Sequence, residues 1–151
     1  MKRVTIFFSF LLVVGCISAQ HLDFMGYEMG INIDDFTKQM RQRFPLQKKV
    51  GGERYFIYNG TIYGHNVYFK ADFTRKSRLV YRVTVTPKHI DQNALVDSLV
   101  VHYGEGEEMQ GGYRWVQPGG FVFLYMPEGY DPTLIYLDAQ AAAVLKQEDK
   151  K

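Results

Sequence analysis

The residues able to do chemistry are four histidines (His21, His65, His89 and His102), an acidic run at Glu105, Glu107 and Glu108, the serines Ser77 and Ser98, and one cysteine, Cys16. A zinc site needs nitrogen or sulfur ligands that converge, and these histidines show no H-x-x-H or H-x-x-x-H spacing. His65 and His89 read as solvated loop residues. Neither serine has the G-x-S-x-G context of a nucleophile elbow. The stretch GEGEEMQGG, residues 104–112, is rich in glycine, but its carboxylates repel phosphate and no Lys-Ser/Thr follows. The same carboxylates suit a hard cation, yet they lack the ligand order of a calcium loop and its closing glutamate. No metal and no cofactor is expected. Two carboxylates facing each other across a cleft suffice for glycoside hydrolysis. Glu107 can be one of them, which keeps a carbohydrate-active or other hydrolase as an alternative, but the sequence does not place the second.

What stands out instead is aromatic density. Three of the 11 Phe fall in the first ten residues; the other eight stand with 11 Tyr and Trp115. Tyr and Trp bring large contact area at low entropic cost and are enriched in binding patches. Strand alternation sends only half of such rings inward. Tyr68, Tyr113, Trp115 and Tyr125 are therefore the candidate binding surface. Asn59-Gly60-Thr61 fits a glycosylation sequon but reads as turn chemistry.

The N-terminus decides the compartment. Lys2 and Arg3 precede an apolar run over residues 4–14, too short to span a bilayer but suited to a signal peptide. Two processing signals then compete. VVGC resembles a lipobox, in which Cys16 is acylated; ISA before Gln20 suits signal peptidase I, with Ala19 at the cut. Lipoproteins run a polar tether between lipid and fold, whereas Leu22, Phe24, Met25 and Tyr27 follow here almost at once. That spacing favours cleavage after Ala19: residues 1–19 signal, 20–147 one domain, 148–151 a charged tail. The product is then periplasmic or extracellular, with a lipid anchor through Cys16 as the alternative. Loss of Lys2 and Arg3 leaves 16 basic residues against 16 acidic ones, a formal net charge of zero. No clustered excess of cations remains for nucleic acid, and no later run is long and apolar enough to span a membrane. The mature chain also has no cysteine, so internal disulfides are excluded.

The elements that must position these residues follow from periodicity. Ile33, Phe36, Met40 and Phe44 form one stripe of a helix over residues 33–43, capped by Asn32 and ended by Pro45. Residues 53–87 alternate with period two and predict three antiparallel strands. Asn59-Gly60 is read as a bend in one long strand rather than a hairpin. A second helix runs from the cap Asp91 to Gly104, with Ile90 and Leu95 as its hydrophobic staple. Two or three strands follow, over residues 113–117, 121–126 and 134–137, and AQAAAVLKQEDKK ends in a short helix. The expected fold is α+β, in the order α-β-β-β-α-β-β(-β). Two short helices pack on one face of an antiparallel sheet of about five to six strands.

The run FMGYEMG, a short helix ending at RFP, then YFIYNGTIYGHNVYF and VYRVTVTP resembles small exported bacterial proteins of uncharacterised function. Their suggested fold is similar to that of the β-lactamase inhibitor proteins and the outer-membrane-assembly lipoproteins. The likeness covers roughly residues 22–104 and implies helices on an antiparallel sheet. The paired cysteines of those inhibitors are missing here, and no functional residue carries over. The expected function is a non-catalytic, exported module that binds a protein partner. A structural lipoprotein of envelope maintenance is the further alternative. The oligomeric state is left open.

Overall fold

A computed structural model of the chain describes residues 20–50 and 54–150. It opens on a small hairpin, β1 (Asp23–Phe24) and β2 (Tyr27–Glu28), turned at Met25-Gly26 with φ of 53° and 90°. Then come α1 (Ile33–Met40), β3 (Leu46–Lys49), β4 (Tyr55–Ile62), β5 (His65–Phe73) and β6 (Val80–Val85). The second half repeats the plan with α2 (Gln92–Tyr103), β7 (Glu107–Met109), β8 (Gly112–Gln117), β9 (Gly120–Tyr125) and β10 (Thr133–Asp138). Helix α3 (Ala139–Glu148) closes the chain.

Strands β3 to β10 form one eight-stranded antiparallel sheet, in the order β3-β4-β5-β6-β10-β9-β8-β7. Each half is a helix followed by a four-stranded meander, and the two meanders join where β6 pairs with β10. The protein is α+β with an antiparallel sheet. The expected two short helices on a sheet of five to six strands are overturned: among the described residues strand is the dominant element, with eight strands in the sheet, a separate hairpin and three helices, the third where the short C-terminal helix was expected. Four strands escaped the reading. β3 (LQKK) and β7 (EEM) are sheet edges, exposed along nearly their whole length, so no alternation marks them. The glycine-rich stretch over residues 104–112 thus contains β7 and the start of β8. The hairpin β1-β2 is too short to show a period.

The core lies under α1 and α2. Ile33, Phe36 and Met40 of α1 join Leu95 and Leu99 of α2 in one buried cluster. The cluster takes alternate residues of the strands: Tyr58 from β4, Phe69 and Ala71 from β5, Val83 and Val85 from β6, Leu134 and Tyr136 from β10. Phe24 sits at its centre, with ring centroids 4.9 Å from Tyr136, 5.1 Å from Phe69 and 5.8 Å from Phe44. Asn32 accepts from Asp34 N at 2.9 Å, and Asp91 accepts from Ala94 N at 3.0 Å; each satisfies an otherwise unpaired helical N–H. Tyr58 Oη lies 2.7 Å from Thr37 Oγ1, which donates to Ile33 O, so one polar chain pins α1 to β4. Burial pushes that phenol up to about 12.

Strand β4 runs unbroken through Asn59-Gly60. Gly60 is required there because a Cβ would stand 2.2 Å from Phe44 Cδ1. The hairpin turn falls instead at Tyr63-Gly64, with φ of 48° and 78°. Helix α3 packs against β6, β9 and β10, and its buried Ala141 lies outside the α1/α2 core. Its end is anchored. Glu148 accepts from Lys76 N at 2.7 Å, Ser77 N at 2.9 Å and Ser77 Oγ at 2.6 Å, so the expected tail from residue 148 starts too early.

Candidate functional site

The four candidate aromatics separate. Because successive strand residues point to opposite faces, Tyr113 and Trp115 fall on the helix side of β8. Trp115 is 2 % exposed, its Nε1–H donates to Gly104 O at 2.8 Å, and its ring fills the space beside Gly106. Tyr113 is half-buried beside it, with centroids 6.0 Å apart. Both belong to the packing under α2 rather than to a contact surface, which corrects their assignment. Tyr68 and Tyr125 do face solvent, at 65 % and 52 % exposure. Alternation could sort these rings only if the inward register were known, and Leu95 and Leu99 did not reveal which face α2 would cover.

Tyr68 and Tyr125 stand on the sheet's outer face, away from α1 and α2. That face is ordered in cross-strand rows. The middle row crosses all eight strands: Lys48 pairs with Ile57, then Lys70, Thr84, Ile135, Phe123, Arg114 and Glu107. A second row runs from Tyr55 through Asp72, Arg82, Leu137 and Phe121 to Val116. In a third, Thr133 pairs with Tyr125. Tyr68 precedes Phe69, whose partner Val85 pairs in turn with Leu134. The two exposed tyrosines therefore lie three strand spacings apart, roughly 14 Å.

In the adjoining middle row Ile135 and Phe123 are half-buried, and beyond β9 Val116 of β8 is 65 % exposed. Phe121 and Phe123 pack on each other at 5.9 Å. Charges frame the strip. Asp72, only 6 % exposed, takes Arg82 Nε at 3.0 Å and Lys70 Nζ at 3.6 Å, while Arg114 is bonded to Glu107. The result is an apolar and aromatic strip whose neighbouring cations are held in place.

The acidic run is dispersed along an edge. Glu107 and Glu108 are exposed on β7, and Glu107 is committed to Arg114. Among the described residues no three His, Cys, Asp or Glu side chains converge on a common point. His65 opens β5, and His89 lies beyond β6, its N–H directed at Asp131 Oδ1 at 3.3 Å.

One polar cluster was not foreseen. Asp138, fully buried at the end of β10, accepts from Leu22 N and Ala141 N, each at 2.8 Å, and holds His21 Nδ1 at 3.1 Å. His21 lines a cleft of about 220 Å³ with Asp23, His102, Tyr103 and Gln117. Behind it Tyr103 Oη donates to Tyr136 Oη at 3.4 Å, and Tyr63 Oη is buried without a partner among the described residues. Burial raises the pKa of all three phenols, so they stay protonated. A carboxylate that orients a histidine is half of a general-base arrangement. Among the described residues no Ser, Thr or Cys lines this cleft. The only signal in the sequence was Asp138 directly before an alanine-rich helix, where a capping residue belongs.

Cys16 and Ala19, which carry the processing alternatives, fall outside the described residues. Gln20 is inside them, and its carbonyl accepts from Gln140 Nε2 at 2.8 Å. No helix among the described residues is long and apolar enough to cross a membrane. Comparison with known proteins found no matching family model, no similar curated protein and no similar solved structure.

Proposed function

We propose that this chain is an exported, non-catalytic module that binds a protein partner through the outer face of its sheet. The observation that carries this reading is the strip of Tyr68, Tyr125, Val116, Phe123 and Ile135 on the face away from α1 and α2. Large rings and branched aliphatics held on a sheet supply desolvation at low entropic cost, and fixed cations at the margin supply orientation. Glu107 serves edge packing through Arg114 in this reading, not acid–base chemistry.

The start of the fold supports the soluble form of the exported product. Gln20 is bonded to α3, Leu22 is 2 % exposed, and its N–H is held by Asp138. A lipid on Cys16 would have only four residues to reach Gln20, at most about 14 Å of chain, which would press the domain against the bilayer.

The test is crosslinking capture from the native envelope with the wild type and a Tyr68→Ser/Tyr125→Ser variant. Circular dichroism establishes that the variant is folded. A specific protein captured by the wild type and lost with the two tyrosines supports the reading; capture unchanged by them overturns it. Intact mass of the native protein and detergent partitioning of Cys16→Ser decide the processing. A mass beginning at Gln20, with partitioning indifferent to the substitution, is the expected result.

A further inference from the structure

We infer that copies of this chain associate edge to edge, β7 of one against β3 of the next, into a continuous antiparallel sheet. Three observations carry this. First, neither β3 nor β7 has a second partner strand among the described residues. Each therefore presents unpaired backbone N–H and C=O groups, a template for a further strand.

Second, the topology makes the two edges compatible. Seven successive pairings, all antiparallel, lead from β3 to β7, so the two edge strands run in opposite directions. A second copy placed beside the first by lateral repetition brings its β3 antiparallel to β7, with both helix layers on the same side. The ladder continues without inversion.

Third, the charges select this pairing over the alternatives. The middle row begins at Lys48 on one edge and ends at Glu107 on the other. Extending that row into the next copy sets Glu107 opposite Lys48. Lys49 then falls diagonal to Glu108, within reach of long side chains. Symmetric pairing of β7 with β7 would oppose Glu to Glu, and β3 with β3 would oppose Lys to Lys; like charges directly opposite are destabilising. Each edge thus resists its own kind and accepts the other. Lys48 and Glu108 make no ion pair among the described residues, and Lys49 has only the loose one to Asp34, at 3.8 Å between exposed groups; Glu107 is bonded to Arg114 through Oε2 alone, which leaves Oε1 for the neighbouring Lys48.

Such a head-to-tail contact generates an open ribbon rather than a closed dimer. The edges are three and four residues long, so each contact is small and the association weak and reversible. The ribbon would carry the outer-face strip from copy to copy, although the inference does not depend on what binds there.

Sedimentation velocity across a concentration series, at low and at high salt, tests it. The wild type is expected to show a mass that rises with concentration and falls with salt. Lys48→Glu/Lys49→Glu and Glu107→Lys/Glu108→Lys, each alone, are expected to weaken association about ten-fold, since both reversals create like-charged edges. An equimolar mixture of the two folded variants presents opposite charges at every junction and should recover it. A wild type monomeric at all concentrations overturns the inference. So does association that ignores salt, a test that holds even if a variant does not fold, or a mixture that stays as dissociated as its components.

Discussion

Replacing Asp138 by alanine tests whether one buried carboxylate ties the start of the fold to its end. Asp138 is fully buried and caps α3 through Ala141 N, while its other oxygen receives Leu22 N. Removing a helix N-cap costs about 0.5–2 kcal/mol. Leaving the Leu22 N–H buried and unpaired costs about 1–3 kcal/mol more. The sum is on the order of 1.5–5 kcal/mol, without counting His21, whose ring retains solvent contact. Asp138→Asn keeps one acceptor oxygen and should lose roughly half as much. Trp115 is the only tryptophan and is buried, so its fluorescence reports urea unfolding directly. With a mid-range slope of about 2 kcal/mol per molar urea, the midpoint for alanine should fall by roughly 0.8–2.5 M. A fall below about 0.3 M, or equal losses for alanine and asparagine, would refute the reasoning. Amide exchange at Leu22 should also accelerate in the alanine variant while the core strands keep their order of protection.

Gly60→Ala should destabilise by about 1–3 kcal/mol, since the new methyl meets the Phe44 ring inside a packed core; a thermal melt within a degree of wild type would deny that contact. Leu99→Ala should cost about 2–5 kcal/mol, whereas Val101→Ala, two residues on but 88 % exposed, should stay within about 0.5 kcal/mol. Equal denaturation midpoints for the two would mean that α2 is turned the wrong way. Glu148 is held at about 2, against an ordinary 4.5, chiefly by the Lys76 N–H and the Ser77 hydroxyl. A depressed carboxylate stabilises the fold above its unfolded value and loses that contribution as protons bind. The anchoring of α3 should therefore weaken from pH 4.5 down through about 2. Stability measured across that window should fall less steeply for Glu148→Gln; identical slopes would remove Glu148 from the account.

The elements legible in the sequence were those with a buried face of their own. Phe36, Met40 and Phe44 marked α1, the alternation through Val67, Phe69 and Ala71 marked β5, and Asp91 with Gly104 bounded α2, because burial on one side imprints a period on the chain. Strands β3 and β7 were not legible, because an edge strand is defined by its neighbour's backbone and its side chains stay in water. The candidate surface was half legible for a related reason. Alternation showed that some of Tyr68, Tyr113, Trp115 and Tyr125 must face outward, but only the covering of one face by α1 and α2 decided that Trp115 goes in and Tyr125 out. Asp138 joins Leu22 to Ala141 across 116 and three residues of chain respectively. The short link was readable as a cap. The long one exists only because the fold brings the end of β10 beside Leu22, and a contact between distant segments leaves no local pattern to read.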